Sequence, residues 1–428
     1  MSSESSEFAN EPVAEARTVG WVGVALVSAM VSFSLPTFVA GVELFAQSSN
    51  ENAILAILLG SAILAVIGAL TGAIGARTRL SSYLLVRVAF GDSGASVVNI
   101  AFAISLLGWF GVNIDLFAAT TQRMLLDVFG VNAPGWIVEL FAGVIMTITT
   151  MYGFRTINFL SMLLTPVMMV VTALLLFRVL DGNSWLTLYA TGESSSLPFG
   201  NAVSSVVGGI IVGAVILPDI TRFIRHWPGA IYTAFLSYFV VSSIVMIAGG
   251  LAADTLGNDD FLDVMIILGL GWAAFAIVIA GSWVLNSLNL YSTALSIEAT
   301  WPSLPNRWSI IVLGAIGTLA AFLNILDYFL DFLFYLAIVF VPVAGIIVVD
   351  YLWVHRTAYH VDFDPGSQRV SIPALLSWVL GATLALLGAF GVVSLSGIAA
   401  LDAMFVSALA FALLSRVLTR SESGGVNR

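Results

Sequence analysis

The sequence has no cysteine and no lysine, and charged residues occupy only 9% of its 428 positions. Without cysteine, a disulfide framework, a thiolate metal site and a cysteine nucleophile are all excluded. A soluble domain has roughly 25% charged residues, because water must solvate its surface. This chain is 59% hydrophobic with a mean hydropathy of +1.03, so most of its exterior is expected to face lipid.

The charges that are present exclude further classes of function. A net charge of −10 and a pI near 4.6 argue against nucleic acid as a partner. Residues 1–19 are acidic and lack the basic region and cleavage site of a signal peptide, which indicates a solvated N-terminal tail. No phosphate-binding loop, zinc-protease helix motif or nucleophile elbow occurs. We therefore expect no enzyme activity, no cofactor, no metal site and no obligate protein partner.

Twelve apolar runs, bounded by charges and turn residues, are long enough to cross a bilayer. They predict an all-α polytopic membrane protein whose environment is the lipid bilayer. The predicted spans are 20–46, 51–76, 96–122, 134–152, 156–178, 200–218, 229–253, 262–298, 309–325, 328–351, 372–391 and 394–415.

Arginine is distributed unevenly between the two sets of connecting segments. Only Arg123 and Arg178 fall on one side, and thirteen arginines fall on the other. Because cytoplasmic loops are enriched in Lys and Arg, this predicts a multi-pass protein of the plasma membrane, the inner membrane in a bacterium, with both termini cytoplasmic. The thirteen are Arg17, Arg77, Arg79, Arg87, Arg155, Arg222, Arg225, Arg307, Arg356, Arg369, Arg416, Arg420 and Arg428.

Two pairs of landmarks share one spacing, which indicates an internal repeat. Ser34 and Gly208 are 174 positions apart (208 − 34), and so are Trp109 and Trp283 (283 − 109). A five-helix unit used twice, with the second copy inserted from the opposite face, explains this spacing. The predicted parts are a first unit at 20–181, a second at 200–351, a cytoplasmic loop at 352–371, two further helices at 372–416 and a tail at 417–428.

Each predicted unit has a candidate helix break. Pro36 cannot donate to the helix ladder, so we expect a break at Ser32–Pro36, with Phe33 and Ser34 beside a bound solute. Gly208-Gly209 predicts a second break, which would bring Gly209 and Ile210 to the same site. The alternative is that the glycine pair is a close-packing surface.

Polar residues recur along the eighth span at helical spacing and so share one face. An unpaired amide is costly in hydrocarbon, so this face should look inward. It predicts either a solute-binding wall around Trp283, Asn286 and Asn289 or a set of interhelical hydrogen bonds. The stripe consists of Ser282, Asn286, Asn289, Thr293 and Ser296.

The third span places Trp109 and Asn113 one turn apart. An aromatic plane beside an amide suits a flat heterocycle, which stacking would stabilise by about 1–3 kcal/mol. The alternative is a core aromatic that fills a gap between helices.

Four charged residues are candidates for coupling or gating. Glu43 and Asp115 lie within spans, where acids are candidate proton carriers. Asp219 and Arg222 lie three positions apart at the end of the sixth span, and we expect a gate or a structural ion pair there.

The sequence resembles the nucleobase–cation symporter-1 family, also called the purine/cytosine permease family, and within it the bacterial cytosine permeases. The resemblance covers nearly the whole chain. The motifs that show it are Gly75-Ala76-Arg77-Thr78, Leu84-Leu85-Val86-Arg87-Val88-Ala89-Phe90-Gly91, Gly108-Trp109-Phe110-Gly111-Val112, Asp219-Ile220-Thr221-Arg222-Phe223 and Asp350-Tyr351-Leu352.

The resemblance implies an inverted five-plus-five, LeuT-like helix fold with two extra C-terminal helices, and cation-coupled uptake of purines, pyrimidines or related heterocycles. It implies that the solute stacks on Trp109 and that polar groups of the sixth and eighth helices, including Asn286, contact its edge. Where cytosine permeases have hydroxyl and aromatic side chains, this chain has Gly209, Ile210 and Val212, so its pocket should be less polar.

A second departure concerns the coupling ion. Sodium-coupled relatives complete their ion site with adjacent hydroxyls of the eighth helix, where this chain has Val284 and Leu285. Aliphatic side chains supply none of the oxygen ligands that a hard cation needs. We expect H⁺ rather than Na⁺ as the coupling ion.

These features predict a transporter that imports a small neutral heterocycle by alternating access, such as cytosine, another pyrimidine, a purine, hydantoin or allantoin. The alternatives are a sodium-coupled nucleobase symporter, an amino-acid or amine importer on the same fold, and an intramembrane enzyme or channel. No set of catalytic residues supports an enzyme, and no ring of charged residues supports a channel.

Overall fold

The computed structural model describes residues 12–152, 154–181, 188–189, 196–258, 260–277, 281–301, 304, 306–323, 328–355, 359 and 370–425. Twelve principal helices, α1 to α12, occupy these ranges, and the predicted all-α membrane fold is confirmed. Their bounds are α1 Trp21–Ser32 and Leu35–Gln47, α2 Asn50–Thr78, α3 Ser82–Phe129, α4 Gly135–Met151, α5 Phe154–Leu180, α6 Phe199–Val215 and Pro218–Thr221, α7 Pro228–Leu256, α8 Trp283–Thr300, α9 Asn306–Ala320, α10 Phe329–Val349, α11 Ile372–Ala389 and α12 Ala399–Gly425.

In the described ranges, eight helices are long and apolar enough to cross a bilayer. The two arms of α1, which are bent by 48° relative to each other, make a ninth if they are counted as a single span. The helices α4 and α9 are shorter apolar helices. At 48 residues, α3 is about twice as long as one crossing requires. Gly91, with φ 75° and ψ 171°, interrupts it and separates a short first segment from the long helix that follows.

The predicted span 262–298 is wrong in its first half. Two short helices, Phe261–Ile267 and Gly271–Ile277, precede α8, which begins at Trp283. Gly269 has a φ of 73° between them, a left-handed conformation that glycine adopts without strain. The short helices are as apolar as the span itself, so hydropathy did not separate them from it.

Helix contacts pair the two halves symmetrically. The second arm of α1 packs along α7, and in the other half α6 packs along α2. Likewise α1 packs on α5, and α6 packs on α10. Each helix of α1–α5 thus corresponds to the helix five places later, and α3 packs on its own counterpart, α8. Two five-helix units inserted in opposite directions have this arrangement. The last two helices, α11 and α12, pack on each other, and α12 also packs on α10.

The break in α1 lies where the sequence predicts it. Phe33 leaves the helical region with ψ 13°, and Ser34 is extended with ψ 155°. The hydroxyl of Ser34 donates to the carbonyl oxygen of Val31 at 2.8 Å, which satisfies one acceptor at the end of the first arm. Pro36 lies in the first turn of the second arm, where its missing N–H has no cost.

The predicted break at Gly208-Gly209 is wrong. The first arm of α6 is helical through both glycines and ends at Val215; a single turn, Pro218–Thr221, follows the break. A Cβ at Gly208 would collide with the main-chain oxygen of Leu333 in α10. Gly208 is therefore a close-packing position, the alternative that the sequence left open.

The bundle has two chemically different ends. At the first, Arg79 follows α2 and donates to the carbonyl oxygen of Ile224 at 2.7 Å. We call this the arginine-rich end. At the opposite end, Arg123 pairs with Asp260 at 2.6 Å and Asp263 at 2.7 Å.

The Asp350-Tyr351 motif forms a buried cluster at the end of α10. Asp350 accepts a hydrogen bond from the Tyr359 hydroxyl at 2.5 Å, and its Oδ1 lies 2.7 Å from Nδ1 of His355. The hydrogen bond to Asp350 holds the pKa of His355 above its ordinary value of 6.5, although burial opposes this. This motif therefore joins the end of α10 to the chain that follows it.

The contact between Gly208 and Leu333 predicts a strong effect of one methyl group. Gly208→Ala should lower stability by about 1–3 kcal/mol, because α6 and α10 must separate to admit the Cβ. Thermal unfolding of the purified protein in detergent would measure the loss. Gly209→Ala is the matched control, since a Cβ there meets only side-chain atoms, 3.8 and 3.9 Å away. Equal melting temperatures of the two variants would contradict the packing described here.

Candidate functional site

A cavity of about 80 Å³ lies between α1, α3, α6, α7 and α8, beside both helix breaks. One water molecule requires roughly 10–15 Å³ on the same measure, so the cavity admits more than a few atoms. Its wall is mostly apolar. The polar residues that line it are Ser28, Ser34, Thr37, Asp219, Tyr238, Asn289 and Ser292.

Trp109 is the aromatic residue that α3 contributes to the cavity wall. Phe329 and Phe332 of α10 pack against it at ring-centroid distances of 6.1 and 5.4 Å and interplanar angles of 88° and 68°. Such edge-to-face contacts hold an indole ring in one orientation. Asn113, which we expected on the same face, does not line the cavity, because its amide folds back and donates to the Trp109 carbonyl oxygen at 2.8 Å.

The two broken helices contribute different residues to the wall. Ser34 lines the cavity from the α1 break, and Gly209, Ile210 and Val212 line it from the helical first arm of α6, which is aliphatic there, as the departures from cytosine permeases predicted. Phe33 does not line it. Phe33 is buried in the hydrophobic core, and its main-chain oxygen points toward α8 near Gly281.

Asn286 and Trp283, two residues of the predicted α8 wall, are hydrogen-bonded to neighbouring helices. The Asn286 amide donates to the carbonyl oxygen of Phe110 in α3 at 2.9 Å, and the Trp283 indole N–H donates to the Thr149 hydroxyl of α4 at 2.9 Å. Neither residue lines the cavity. Asn286 and Ser296 of the stripe supply interhelical hydrogen bonds, the alternative that the sequence left open, whereas Thr293 bonds within α8.

The α8 face that does line the cavity consists of Leu285, Leu288, Asn289 and Ser292. It is turned by about one residue, or 100°, from the centre of the predicted stripe. Asn289 is the predicted residue that belongs to both faces, and its Nδ2 lies 3.5 Å from Oδ1 of Asn286. Asn289 therefore links the cavity to the interhelical bonds behind it.

The two predicted proton carriers lie away from this cavity. Glu43 lines a separate cavity of about 340 Å³, together with Tyr328, Asp331 and Tyr335. Asp115 does not line the central cavity. Among the described residues, no group of three or more His, Cys, Asp or Glu side chains is placed to hold a metal ion.

Asp219 and Arg222 are both buried, and the Arg222 charge lies close enough to act on the Asp219 carboxylate; the gate or ion pair expected there stays a prediction. Oδ1 of Asp219 accepts from the main-chain N–H and the hydroxyl of Ser82, both at 2.8 Å. Arg222 donates through Nε to the main-chain oxygen of Asp219 at 3.1 Å, not to its carboxylate. Because α6 breaks ahead of Pro218, the carboxylate reaches the cavity wall, which the sequence analysis missed.

Among the other lining residues, Thr37 had a recognisable signal, because it lies three positions after Ser34, the spacing of one helix face, beside the predicted break. Tyr238 had no such signal. It lies in a π-helical segment of α7, Phe235–Val241, and donates to the carbonyl oxygen of Gly213 at 3.0 Å.

An inverted helix repeat around a buried cavity at two broken helices defines the class of secondary transporters. The family described as "Permease for cytosine/purines, uracil, thiamine, allantoin" matches residues 12–411. The chain belongs to this permease family, and it is a transporter rather than an enzyme.

Curated relatives and solved structures agree with this assignment. The cytosine permease of Escherichia coli strain K12 is 27% identical over 426 residues, which cover 99% of this chain and 98% of that protein. The hydantoin permease of Microbacterium maritypicum is 23% identical, covering 94% and 86%. Among structures, Mhp1, a nucleobase-cation-symport-1 family transporter in a closed conformation with bromovinylhydantoin bound, has a TM-score of 0.81 at 21% identity, covering 96% of this chain and 94% of that one.

The rotation of α8 predicts that two neighbouring asparagines differ in role. Asn289→Ala should weaken solute binding, whereas Asn286→Ala should mainly lower the melting temperature, because it removes the bond to Phe110. Uptake kinetics and thermal unfolding, measured on both variants, separate the two effects. If Asn286→Ala raised KM with an unchanged melting temperature, the observed cavity face would be wrong.

Proposed function

We propose that this chain imports a small uncharged heterocycle of the nucleobase or hydantoin class by alternating access, with protons as the coupling ion. The arginine-rich end faces the cytoplasm in this proposal, in line with the distribution of arginine. A group of helices rocks against the rest and exposes the cavity to one side of the membrane at a time.

The composition of the cavity wall carries the proposal. Trp109 offers an aromatic plane, and Ser34, Asn289 and Ser292 offer hydrogen-bonding groups within reach of the same space. Stacking of a flat ring on such a plane is worth about 1–3 kcal/mol. Among the described residues, no arginine side chain lines the cavity, so a multiply anionic solute would have no counter-charge.

The choice within this substrate class rests on the α6 side of the wall. Ile210 and Val212 make the first arm of α6 aliphatic, so a solute with fewer polar edge groups than cytosine fits this part of the wall better. The similarity to both a cytosine permease and a hydantoin permease supports a panel that contains both kinds of ring.

The proposed coupling ion follows from the contact between α1 and α8. The Phe33 carbonyl oxygen lies beside Gly281, and the neighbouring α8 side chains are Val284 and Leu285, both buried. A sodium ion at this contact would lack side-chain oxygens from α8. These residues do not fit a sodium site of the kind that the family resemblance implies, and this supports coupling to protons.

Uptake of radiolabelled compounds by cells without their own permeases tests the function. We expect accumulation of at least one compound from a panel of pyrimidines, purines and hydantoins. Trp109→Ala should reduce it about ten-fold or more, since the loss of stacking corresponds to 1–3 kcal/mol. Trp272→Ala is the matched control, because Trp272 is 63% exposed and does not line the cavity. No accumulation of any compound would refute the proposal.

Initial rates under defined ionic conditions test the coupling ion. Replacement of sodium by choline should leave uptake unchanged, and a protonophore should abolish accumulation. The variant that restores both hydroxyls, Val284→Ser with Leu285→Thr, should acquire a sodium dependence that the natural chain lacks. Strict sodium dependence of the natural chain would overturn this part of the proposal.

One observation favours an amine importer as a second candidate. Asp219 places a carboxylate in the cavity wall, and a cationic solute could pair with it. Competition of unlabelled amines, amino acids and thiamine with the accumulated heterocycle separates the two functions.

A further inference from the structure

Asp219 is the carboxylate of the described residues that lines the central cavity. It is only 6% exposed, and its two oxygens have different surroundings. Oδ1 accepts two hydrogen bonds from Ser82, whereas Oδ2 is buried and forms no hydrogen bond within the described part of the chain. When the carboxylate is ionised, the negative charge on Oδ2 therefore has no hydrogen-bond donor to stabilise it.

The charged and titratable groups around Asp219 come from three other helices and from its own segment. Tyr83 of α3 lies close enough to interact electrostatically, but its hydroxyl donates to the carbonyl oxygen of Ser292 at 2.7 Å. Tyr291 of α8 adjoins Tyr83. Arg222 follows on the same turn, and Arg79 of α2 donates to the Arg222 carbonyl oxygen at 3.2 Å. Tyr83 and Arg222 both lie near enough to act on the Asp219 carboxylate, but Oδ2 accepts no hydrogen bond from a described residue.

We propose that Asp219 is the residue that takes up and releases the coupled proton, on its Oδ2 atom. The inference rests on the proposed function, which supplies a proton-coupled transport cycle. In that cycle a proton from external water forms an O–H bond at Oδ2, and the same bond breaks when the proton passes to cytoplasmic water. No other bond changes, and the protein returns to its starting state.

Protonation changes what the cavity can bind. With the proton on Oδ2, the carboxyl group of this cavity-lining residue becomes a hydrogen-bond donor, while Oδ1 keeps its two bonds from Ser82. A ring carbonyl or ring nitrogen can accept from this donor, whereas the ionised group would repel the same lone pairs. Solute binding and protonation of Asp219 therefore favour each other, which is the coupling that a symporter requires.

The position of the Ser82 bonds links protonation to movement. The principal helix pairings place α1, α2, α6 and α7 in one group, and α3, α4, α8 and α9 in another. The bonds from Ser82 of α3 to Asp219 of α6 cross from one group to the other. If the groups rock apart, Oδ1 loses both donors, and the ionised form loses the bonds that favour it.

A spectroscopic experiment tests protonation without any solute. The full chain is purified as wild type, Asp219→Asn and Asp92→Asn, the last being a control whose carboxylate pairs with Arg87 away from the cavity. Infrared difference spectra on acidification should show a carboxylic C=O band in wild type and Asp92→Asn that is missing in Asp219→Asn. Ser82→Ala should shift the pH at which this band titrates. A band that persists in Asp219→Asn would overturn the assignment.

A transport experiment tests coupling in proteoliposomes with radiolabelled cytosine and hydantoin. An inward proton gradient should drive accumulation by wild type, whereas Asp219→Asn should only equilibrate the compounds and retain exchange of labelled for unlabelled solute. Asp219→Glu should restore part of the accumulation. Concentrative, protonophore-sensitive uptake by Asp219→Asn would overturn the proposal, and so would loss of accumulation in Glu43→Gln or Asp115→Asn instead.

The two arms separate the possible failures. If wild type transports neither compound, the proposed function fails, while the infrared band still tests protonation of Asp219. If Asp219→Asn folds but loses exchange as well as accumulation, Asp219 is needed for solute binding itself rather than for coupling, and the proton assignment is wrong.

Discussion

In the hydrocarbon of a bilayer, each main-chain N–H and C=O group must find its partner within the protein. Helices meet this requirement along their length, and only a broken helix departs from it. Both breaks described here, at Phe33–Ser34 in α1 and between Val215 and Pro218 in α6, are enclosed by other helices, and the central cavity lies beside them. The location of the site is thus a consequence of where the backbone can leave the helical ladder.

Hydropathy was sufficient to predict most of the helices, because it averages over about twenty residues and is insensitive to any one of them. Local geometry was harder. A glycine pair permits either a broken helix or a close helix contact, and at Gly208 the partner that decides is Leu333, more than a hundred positions away. The break in α6 lies ahead of Pro218, whose ring nitrogen has no N–H and so cannot donate a hydrogen bond to the preceding turn of the helix.

The candidate site was predictable to the same degree. Trp109, Ser34 and Asn289 line the cavity as expected. Asn286 shows why the rest was not predictable. In lipid a buried amide is satisfied equally well by a solute and by a neighbouring carbonyl, and one residue of helix rotation, set by the packing of α8 on α3, decides between them.

A coupled transporter needs one group whose interactions differ between its two conformations and whose occupancy by an ion changes the affinity for solute. In this chain the α8 positions that could complete a sodium site are aliphatic, so the contact of α1 with α8 offers no such group. Asp219 combines the required properties. One oxygen is bonded across the boundary between the helix groups, and the other accepts no hydrogen bond from the described residues. The aliphatic α8 positions and this carboxylate of a cavity-lining residue are therefore the two features that support the proposal of protons as the coupling ion.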